Sequence, residues 1–210
     1  MNLTLKRLTL AAALAGSLAG LTACFPLVVG GVVGGALVAT DRRTSGAVLE
    51  DTGIEQRSAS RIRENVGERV HINVTSYNRQ VLLTGEVPTA QDKQLVEQIV
   101  SRVDNVRNIV NEIAVMGNST LTQRSSDALV TGRVKAALVD SKDLFANAFK
   151  IVTERGTTYV MGRVTEREAK RATTVISSTS GVQRVVRILD IISEEELARM
   201  LPPPPAEPKK

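Results

Sequence analysis

Apolar and polar residues follow regular spacings over most of the chain between residues 54 and 192. Val70, Ile72 and Val74 alternate with polar residues, which is the period of a strand with one buried face. From Leu95 to Val103, apolar residues recur every three or four positions, which is the period of an amphipathic helix. The chain is therefore predicted to alternate short strands with helices.

The same pattern occurs twice along the chain. The segment Val81–Val87 corresponds to Thr158–Val164, and Val106–Val110 corresponds to Val182–Val186. A helical segment separates the two blocks in each copy. An internal repeat of this size predicts two copies of one small domain.

Each copy is predicted to have the element order αββαβ. A leading helix (54–67, then 127–140) precedes a hairpin of two strands. The second helix starts at Thr89 in the first copy and with the capping-box pattern Thr165–Glu168 in the second. The third strand returns to the same sheet by a right-handed crossover. The fold class is thus α+β, with two tandem domains that each have a three-stranded mixed sheet covered by two helices.

The first residues of the chain have the layout of a secretory signal. Lys6 and Arg7 precede an apolar stretch that leads to Cys24, the one cysteine in the sequence. The run Leu21–Cys24 reads L-T-A-C and looks like a bacterial lipobox, which implies cleavage before Cys24 and acylation of its sulfur and new amino group. The alternatives are a lone buried cysteine and a plain signal that happens to contain a cysteine.

The apolar segment after Cys24 is expected to stay at the lipid surface. It ends at Ala39 and is shorter than the ~20 residues of a membrane-spanning helix. Two or more acyl chains hold a protein at a membrane almost permanently. The mature protein is therefore predicted to be anchored to a membrane, with its domains following a lipidated N-terminal linker.

These features divide the chain into five predicted segments. They are a lipoprotein signal peptide (1–23), a lipidated apolar segment and polar linker (24–53), domain 1 (54–117), domain 2 (118–192), and a short helix with a proline-rich tail (193–210).

Composition and charge narrow the range of partners. Aromatic residues make up 2% of the chain and tryptophan is absent, so base stacking is not expected and no nucleic acid partner is predicted. Domain 1 has eight Lys and Arg against eight Asp and Glu, whereas domain 2 has twelve against seven. This excess in domain 2 favours an anionic partner such as phospholipid head groups. Solvated surface charge is the alternative.

The sequence contains no recognisable catalytic set. His71 is the one histidine, and it is predicted to be plain surface on the polar side of a strand. No nucleophile elbow, phosphate-binding loop or histidine and cysteine zinc set occurs, so no cofactor and no metal are expected. A glycosidase-like carboxylate pair remains open on sequence alone. The protein is predicted not to be an enzyme.

Two glycines occupy matching positions late in the second strand of each copy. Gly85 and Gly162 are interpreted as structural, because a glycine inside a strand marks a bulge or a close backbone approach.

The leading helix of domain 2 has two apolar faces. The core stripe is expected to contain Val130, Val134, Ala137 and Leu138. A second face contains Leu129, Gly132, Arg133 and Ala136, and an apolar tip beside a cation suits a head-group boundary. The alternative is that Leu129 packs under a neighbouring loop.

The chain resembles the dual BON-domain lipoproteins of Gram-negative outer membranes. The stretches that carry the resemblance are Ile72–Thr75, Val81–Gly85, Met161–Lys170 and Asp41–Thr44. The resemblance implies a periplasm-facing protein that supports outer-membrane integrity and binds anionic phospholipid through domain 2. Phe25 follows the anchor, which is consistent with outer-membrane sorting.

In relatives, a tryptophan near the start of the same helix contributes to the lipid-facing surface, and here Leu129 takes its place. The predicted lipid-binding residues are Leu129, Val130, Gly132, Arg133 and Ala136. The competing hypothesis is a periplasmic scaffold, in which domain 1 and the proline-rich tail engage envelope or outer-membrane protein assembly proteins.

Overall fold

The computed structural model describes residues 41–200. Several predictions concern residues outside this range: the signal peptide, the lipidation of Cys24, the apolar segment that follows it, and the proline-rich tail. These remain predictions from the sequence.

The described residues form five α-helices and two sheets, which confirms the predicted α+β class and the αββαβ order of both domains. The elements of domain 1 are α1 (Ser45–Val66), β1 (His71–Tyr77), β2 (Gln80–Val87), α2 (Ala90–Ser101), β3 (Asn108–Asn111) and β4 (Ala114–Val115). Those of domain 2 are α3 (Leu121–Asp140), β5 (Phe149–Glu154), β6 (Thr157–Thr165), α4 (Glu166–Ser177) and β7 (Arg184–Ile192), and α5 (Glu194–Met200) follows them.

The two sheets have the same topology. In domain 1, β2 pairs antiparallel with β1 and parallel with β3 and β4. In domain 2, β6 pairs antiparallel with β5 and parallel with β7. The third strand of domain 1 is interrupted between β3 and β4, whereas β7 is continuous over nine residues. The predicted mixed sheets are therefore confirmed, with one strand split in two.

Threonine side chains define where four of the helices begin. Thr89 accepts a hydrogen bond from the amide of Asp92, and Thr165 forms the predicted capping box with Glu168. Thr120 forms a second capping box, so α3 starts six residues before the predicted Asp127. A capping side chain satisfies amides that have no partner inside the helix.

Helix α1 starts at Ser45, where the sequence predicts a polar linker over 41–53. Thr44 caps the helix, and residues 45–53 are its first two and a half turns, so this part of the linker prediction is corrected. The physical reason is Asp51, which is buried although it is an acidic residue. Its carboxylate accepts hydrogen bonds from the amides of Asn78 and Arg79 in the β1–β2 turn. The first turns of α1 bury a carboxylate where most helices bury an apolar side chain. They therefore lack the apolar spacing from which a helix is predicted.

The same contact between the leading helix and the hairpin turn occurs in domain 2. Asp127 accepts hydrogen bonds from the amides of Arg155 and Gly156 in the β5–β6 turn, at 2.7 and 2.9 Å. Arg155 and Gly156 have positive φ, as do the two turn residues of domain 1. The leading helix of each domain thus fixes the hairpin that follows it.

Three apolar clusters hold the structure together. One lies between sheet and helices in domain 1, and a second lies in the same place in domain 2. The third lies between the sheets of the two domains and consists of Tyr77, Leu82, Tyr159, Met161 and Ile188. We call this third cluster, with the polar contacts around it, the seam.

Both predicted structural glycines lie where a side chain has no room. Gly85 has φ +109°, and a Cβ there would lie 1.9 Å from the carbonyl oxygen of His71. Gly162 lies outside the left-handed region, but its Cβ would be 2.6 Å from the carbonyl oxygen of Ala148. The fold therefore gives a reason for glycine at each position.

Candidate functional site

One face of α3 is apolar and open to solvent. Leu129, Gly132, Ala136 and Val139 are spaced three, four and three residues apart, so they share one side of the helix. All four are exposed, and Leu129 and Val139 expose 63% and 69% of their surface. We call these four residues the α3 ridge.

The structure separates the predicted lipid-binding residues into two groups. Leu129, Gly132, Arg133 and Ala136 are exposed on the outer part of α3, so Leu129 does not pack under a loop. Val130 is 5% exposed and packs in the core of domain 2. It points inward because it lies one residue, or 100°, from Leu129. Val130 is therefore not part of the candidate surface, whereas Val139, which was not predicted from the sequence, belongs to it.

Gly132 has no role in packing. A Cβ at this position would meet no atom within 4 Å. A glycine inside a helix costs about 1 kcal/mol relative to alanine. The fold therefore gives no reason for a glycine in the middle of the α3 ridge.

The cations without ion pairs in domain 2 concentrate around this helix. Seven of its twelve Lys and Arg residues make ion pairs. Within residues 41–200 the other five make none, and they are Arg124, Arg133, Lys135, Lys142 and Arg187. The first four of these lie on α3 or two residues beyond its end.

Part of the excess charge of domain 2 serves the contact with domain 1. Lys150 pairs with Glu55 at 2.7 Å, and Arg184 pairs with Glu112 at 3.1 Å. The anionic partner of these cations is thus domain 1 itself. The positive charge that remains for another partner is therefore smaller than the sequence indicates, and most of it lies on or near α3.

The corresponding face of α1 has a different character. Its buried positions match those of α3 at a constant offset of 76 residues, with Asp51, Ile54, Ser58 and Ile62 for Asp127, Val130, Val134 and Leu138. At the same offset, the positions of the α3 ridge are occupied by Gly53, Gln56, Ser60 and Arg63. The apolar outer face is therefore specific to domain 2.

Glu86 is the centre of a polar cluster in the seam. Its buried carboxylate accepts a hydrogen bond from Arg155 at 2.7 Å and two from Ser119, and it lies 3.1 Å from Nδ1 of His71. Burial alone would raise the pKa of Glu86, but the bonds from Arg155, Ser119 and His71 outweigh it and hold the pKa below its usual value. His71 is thus a seam residue, which corrects its assignment as plain surface.

Glu154 lies beside this cluster and behaves in the opposite way. Its carboxylate accepts a hydrogen bond from Asn73 of domain 1 at 2.5 Å. Burial raises the pKa of Glu154, and the nearby charge of Glu86 raises it further. The seam therefore holds one carboxylate that is stabilised in its charged form and one that is not.

Four residues ahead of α1 connect the domains a second time. We call Asp41–Thr44 the strap. Arg42 pairs with Glu168 of domain 2, and Arg43 pairs with Asp51 of domain 1. In the sequence these residues carry part of the family resemblance but predict no contact, because consecutive charged residues before a helix are usually solvated.

The described residues contain neither an assembled metal site nor a membrane span. Over residues 41–200, no group of three or more His, Cys, Asp or Glu side chains could hold a metal ion. None of the helices in that range combines the length and apolar content needed to cross a bilayer.

The protein consists of two small α+β domains of the same topology, and their sheets pack against each other. This defines the class of duplicated-domain proteins. The chain belongs to the BON-domain family, whose model matches residues 50–117 and 126–192. These two matches cover both repeats, so the protein is a dual BON-domain protein, as the sequence predicts.

Two relatives extend the comparison beyond the domains. The chain is 30% identical to the "Outer membrane lipoprotein DolP" of Haemophilus influenzae over 89% of this chain and 97% of the relative. It is 27% identical to a "21 kDa hemolysin" of Actinobacillus pleuropneumoniae over 72% of this chain and 79% of the relative. Together with the family match, they identify a dual-BON lipoprotein of the outer-membrane type. Neither relative is named as an enzyme.

A solved structure also resembles the chain. It is CdsD, a structural protein of the type III secretion system of Chlamydia trachomatis, at 14% identity over 72% of this chain and 99% of that chain. The TM-score is 0.29, too low to support any conclusion.

Proposed function

We propose that this protein is a non-enzymatic lipoprotein, acylated at Cys24 and facing the periplasm, that binds anionic phospholipid through α3 of domain 2. Binding would hold domain 2 against the inner leaflet and support outer-membrane integrity. Both repeats match the model of the BON domain, and neither of the two relatives described above is named as an enzyme, which supports a binding role.

The observation that carries the proposal is the coincidence of two features on one helix. The α3 ridge offers exposed apolar side chains, and the unpaired cations of domain 2 cluster on the same element. An apolar strip flanked by Lys and Arg suits the boundary between head groups and acyl chains. Helix α1 shares the inner face of α3 but lacks the ridge, so the fold alone does not account for it.

The expected intrinsic affinity is low. A basic residue near an anionic leaflet contributes about 1 kcal/mol, so three contribute about 3 kcal/mol. Millimolar affinity takes about 4 kcal/mol, which leaves the remainder to the insertion of Leu129 and Val139. A lipid anchor raises the local concentration, so a weak surface is sufficient once the protein is tethered.

Vesicle binding of residues 41–210 tests the proposal without the anchor. Binding is expected to rise with the fraction of phosphatidylglycerol and to fall as salt screens the cations. Leu129→Glu should weaken binding at least tenfold, because it places a charge where an apolar side chain is expected to insert. Leu49→Glu is the matched control, since Leu49 is a 75% exposed leucine on α1.

Three results would contradict the proposal. They are equal binding to neutral vesicles, an equal loss in the two leucine variants, and a Leu129→Glu protein that binds like the wild type. The alternative of an assembly scaffold stays a prediction, because the proline-rich tail on which it partly depends lies outside the described residues.

A further inference from the structure

Arg42 is inserted into domain 2. Its guanidinium donates hydrogen bonds to both carboxylate oxygens of Glu168 at 2.7 Å, and a third to the carbonyl oxygen of Arg163 at 3.0 Å. The side chains of Arg42 and Glu168 are 4% and 2% exposed. Burial alone would raise the pKa of Glu168, but bonds from Arg42 and Thr165 outweigh it and keep the pKa below its usual value.

Arg43, the next residue, is inserted into domain 1. It pairs with Asp51 at 2.9 Å, and its guanidinium lies 4.3 Å from the centroid of the Tyr77 ring. Neighbouring side chains of the strap therefore hold different domains. Thr44 then caps α1 and closes the strap.

Arg42 holds the start of the strap against domain 2, although the helix that follows the strap belongs to domain 1. The chain continues from the strap into α1 of domain 1, yet the residue at the entry is bound to domain 2. Arg42 also lies 6.0 Å from the ring of Phe145, which follows the end of α3 by five residues. The chain thus enters the described structure beside the loop that follows α3.

From this geometry we infer that Arg42 is a positioning residue that makes domain 2 the membrane-proximal domain of the anchored protein. The inference rests on the proposed function, because it assumes a lipid anchor at Cys24 and a membrane-facing α3. It goes further by assigning the orientation to a contact outside the α3 ridge. A tether bound to domain 2 pulls that domain toward the bilayer, whereas a tether released to the start of α1 pulls on domain 1.

Releasing Arg42 is expected to change which domain faces the membrane, and to leave the distance between the anchor and the domains almost unchanged. Cys24 lies 18 residues before Arg42, so the chain between them spans at most about 60 Å in any conformation. Releasing Arg42 makes Arg43, which is bound to domain 1, the first attached residue; even release of the whole strap up to Ser45 would add only three residues, or about 10 Å. This small change leaves the distance available to the protein almost the same, while the point of attachment moves to the other domain.

The test uses the full lipidated chain in vesicles that contain phosphatidylglycerol and nitroxide-labelled lipid head groups. A fluorophore is attached to a cysteine introduced at Ser125 on α3, or in a second protein at Ser60 on α1; both serines are exposed. In the wild type, quenching at residue 125 is expected to exceed quenching at residue 60 several-fold.

The decisive variant removes both charges of the buried pair. Arg42→Met with Glu168→Gln leaves no unpaired buried charge, which a single substitution would create. Glutamine also serves in a capping box, so the start of α4 is kept. The ratio of quenching at the two sites is expected to fall below twofold. The matched control is Arg107→Met with Asp190→Asn, an exposed ion pair between the domains that the strap does not touch, and it should keep the wild-type ratio.

A second variant decides the question if the first does not fold. Arg42→Lys keeps the charge but loses the two-pronged contact, and an intermediate ratio is expected. A wild-type ratio in every folded Arg42 variant would overturn the inference, and so would an equal fall in the Arg107 control.

Vesicle binding of the unanchored protein separates this inference from the proposed function. The Arg42 variants leave the α3 ridge intact, so their binding as residues 41–210 should equal that of the wild type. If unanchored binding is absent while the quenching ratio still depends on Arg42, lipid binding by α3 fails, and the orientation of domain 2 comes from the tether at Arg42 alone. If binding is present and the ratio is independent of Arg42, the positioning role fails and the proposed function stands.

Discussion

The two leading helices, α1 and α3, have matching inner faces and different outer faces. Inside, each presents an aspartate to its hairpin turn and apolar residues to its sheet. Outside, α1 has one glycine and three polar residues where α3 has the ridge. The comparison shows that the fold constrains the inner face of this helix and leaves its outer face free. A function specific to one domain is therefore best sought on the outer face.

The largest expected difference between the domains concerns their matching glycines. Gly85→Ala should destabilise the protein by more than about 4 kcal/mol or prevent folding, because it combines a positive φ with a clash against backbone. Gly162→Ala has the clash alone and should cost about 2 kcal/mol. Urea unfolding of both variants measures the difference. Equal losses would show that the backbone at residue 85 adapts.

For the aspartates that bind the hairpin turns, substitution should again cost more stability in domain 1 than in domain 2. Asp51→Ala removes the partner of two turn amides, of the Ser76 hydroxyl and of Arg43, and it should cost about 3 kcal/mol. Asp127→Ala removes the partner of two amides and should cost about 2 kcal/mol. Thermal unfolding monitored by circular dichroism compares them. A larger loss for Asp127→Ala would contradict this account of the two turns.

Two helical glycines sharpen the comparison of the outer faces. Gly132→Ala should stabilise the protein by about 1 kcal/mol, since the new methyl group meets nothing and alanine favours the helix. Gly53→Ala should gain less, because its Cβ would lie 2.8 Å from Nη1 of Arg57. If Gly132 serves contact with lipid, its gain in stability should come with weaker vesicle binding. An unchanged affinity would remove Gly132 from the binding surface.

The smallest expected effect depends on pH and involves one glutamate from each domain. The raised pKa of Glu154 means that its charged form lowers stability at neutral pH, so Glu154→Gln should stabilise at pH 7. This gain should disappear as the pH falls below the ordinary glutamate value of about 4.3.

Glu86→Gln is expected to show the opposite sign. The pKa of Glu86 is depressed, so its charge stabilises the fold at neutral pH, and this contribution is lost as the pH falls through the depressed value. Urea unfolding of both variants at pH 7 and pH 3.5 tests the pair. The same sign at pH 7 would show that the two seam carboxylates do not differ as described.

Local signals in the sequence predicted much of each domain. The alternation of Val70, Ile72 and Val74 predicted strand β1, and the capping box at Thr165 starts α4 as predicted. The predicted hairpin is present in each domain, where β1 pairs with β2 and β5 pairs with β6. These features succeed because a turn, a cap or a strand period is decided by residues close in the chain.

The seam and the strap could not be predicted in this way. Glu86, Arg42 and Glu168 are charged residues that become buried only because a partner from the other domain reaches them. Charge is normally a sign of exposure, so the sequence favours surface positions for them. The exposed side of α3 could be predicted from helical spacing, although Val130 was placed on it wrongly and Val139 was missed. Whether this surface binds lipid stays a prediction.

The apolar cluster between the sheets has a consequence for experiments that exchange or delete domains. A chain without domain 1 would expose Tyr159, Met161 and Ile188 to water, and it would leave Lys150 and Arg155 without their carboxylates. A deletion phenotype would then report aggregation as readily as a lost activity. In chimeras with other family members, a transplanted second domain should bring the facing strand residues of its own first domain. Selection is thus expected to preserve the two modules together, although each has the complete αββαβ order.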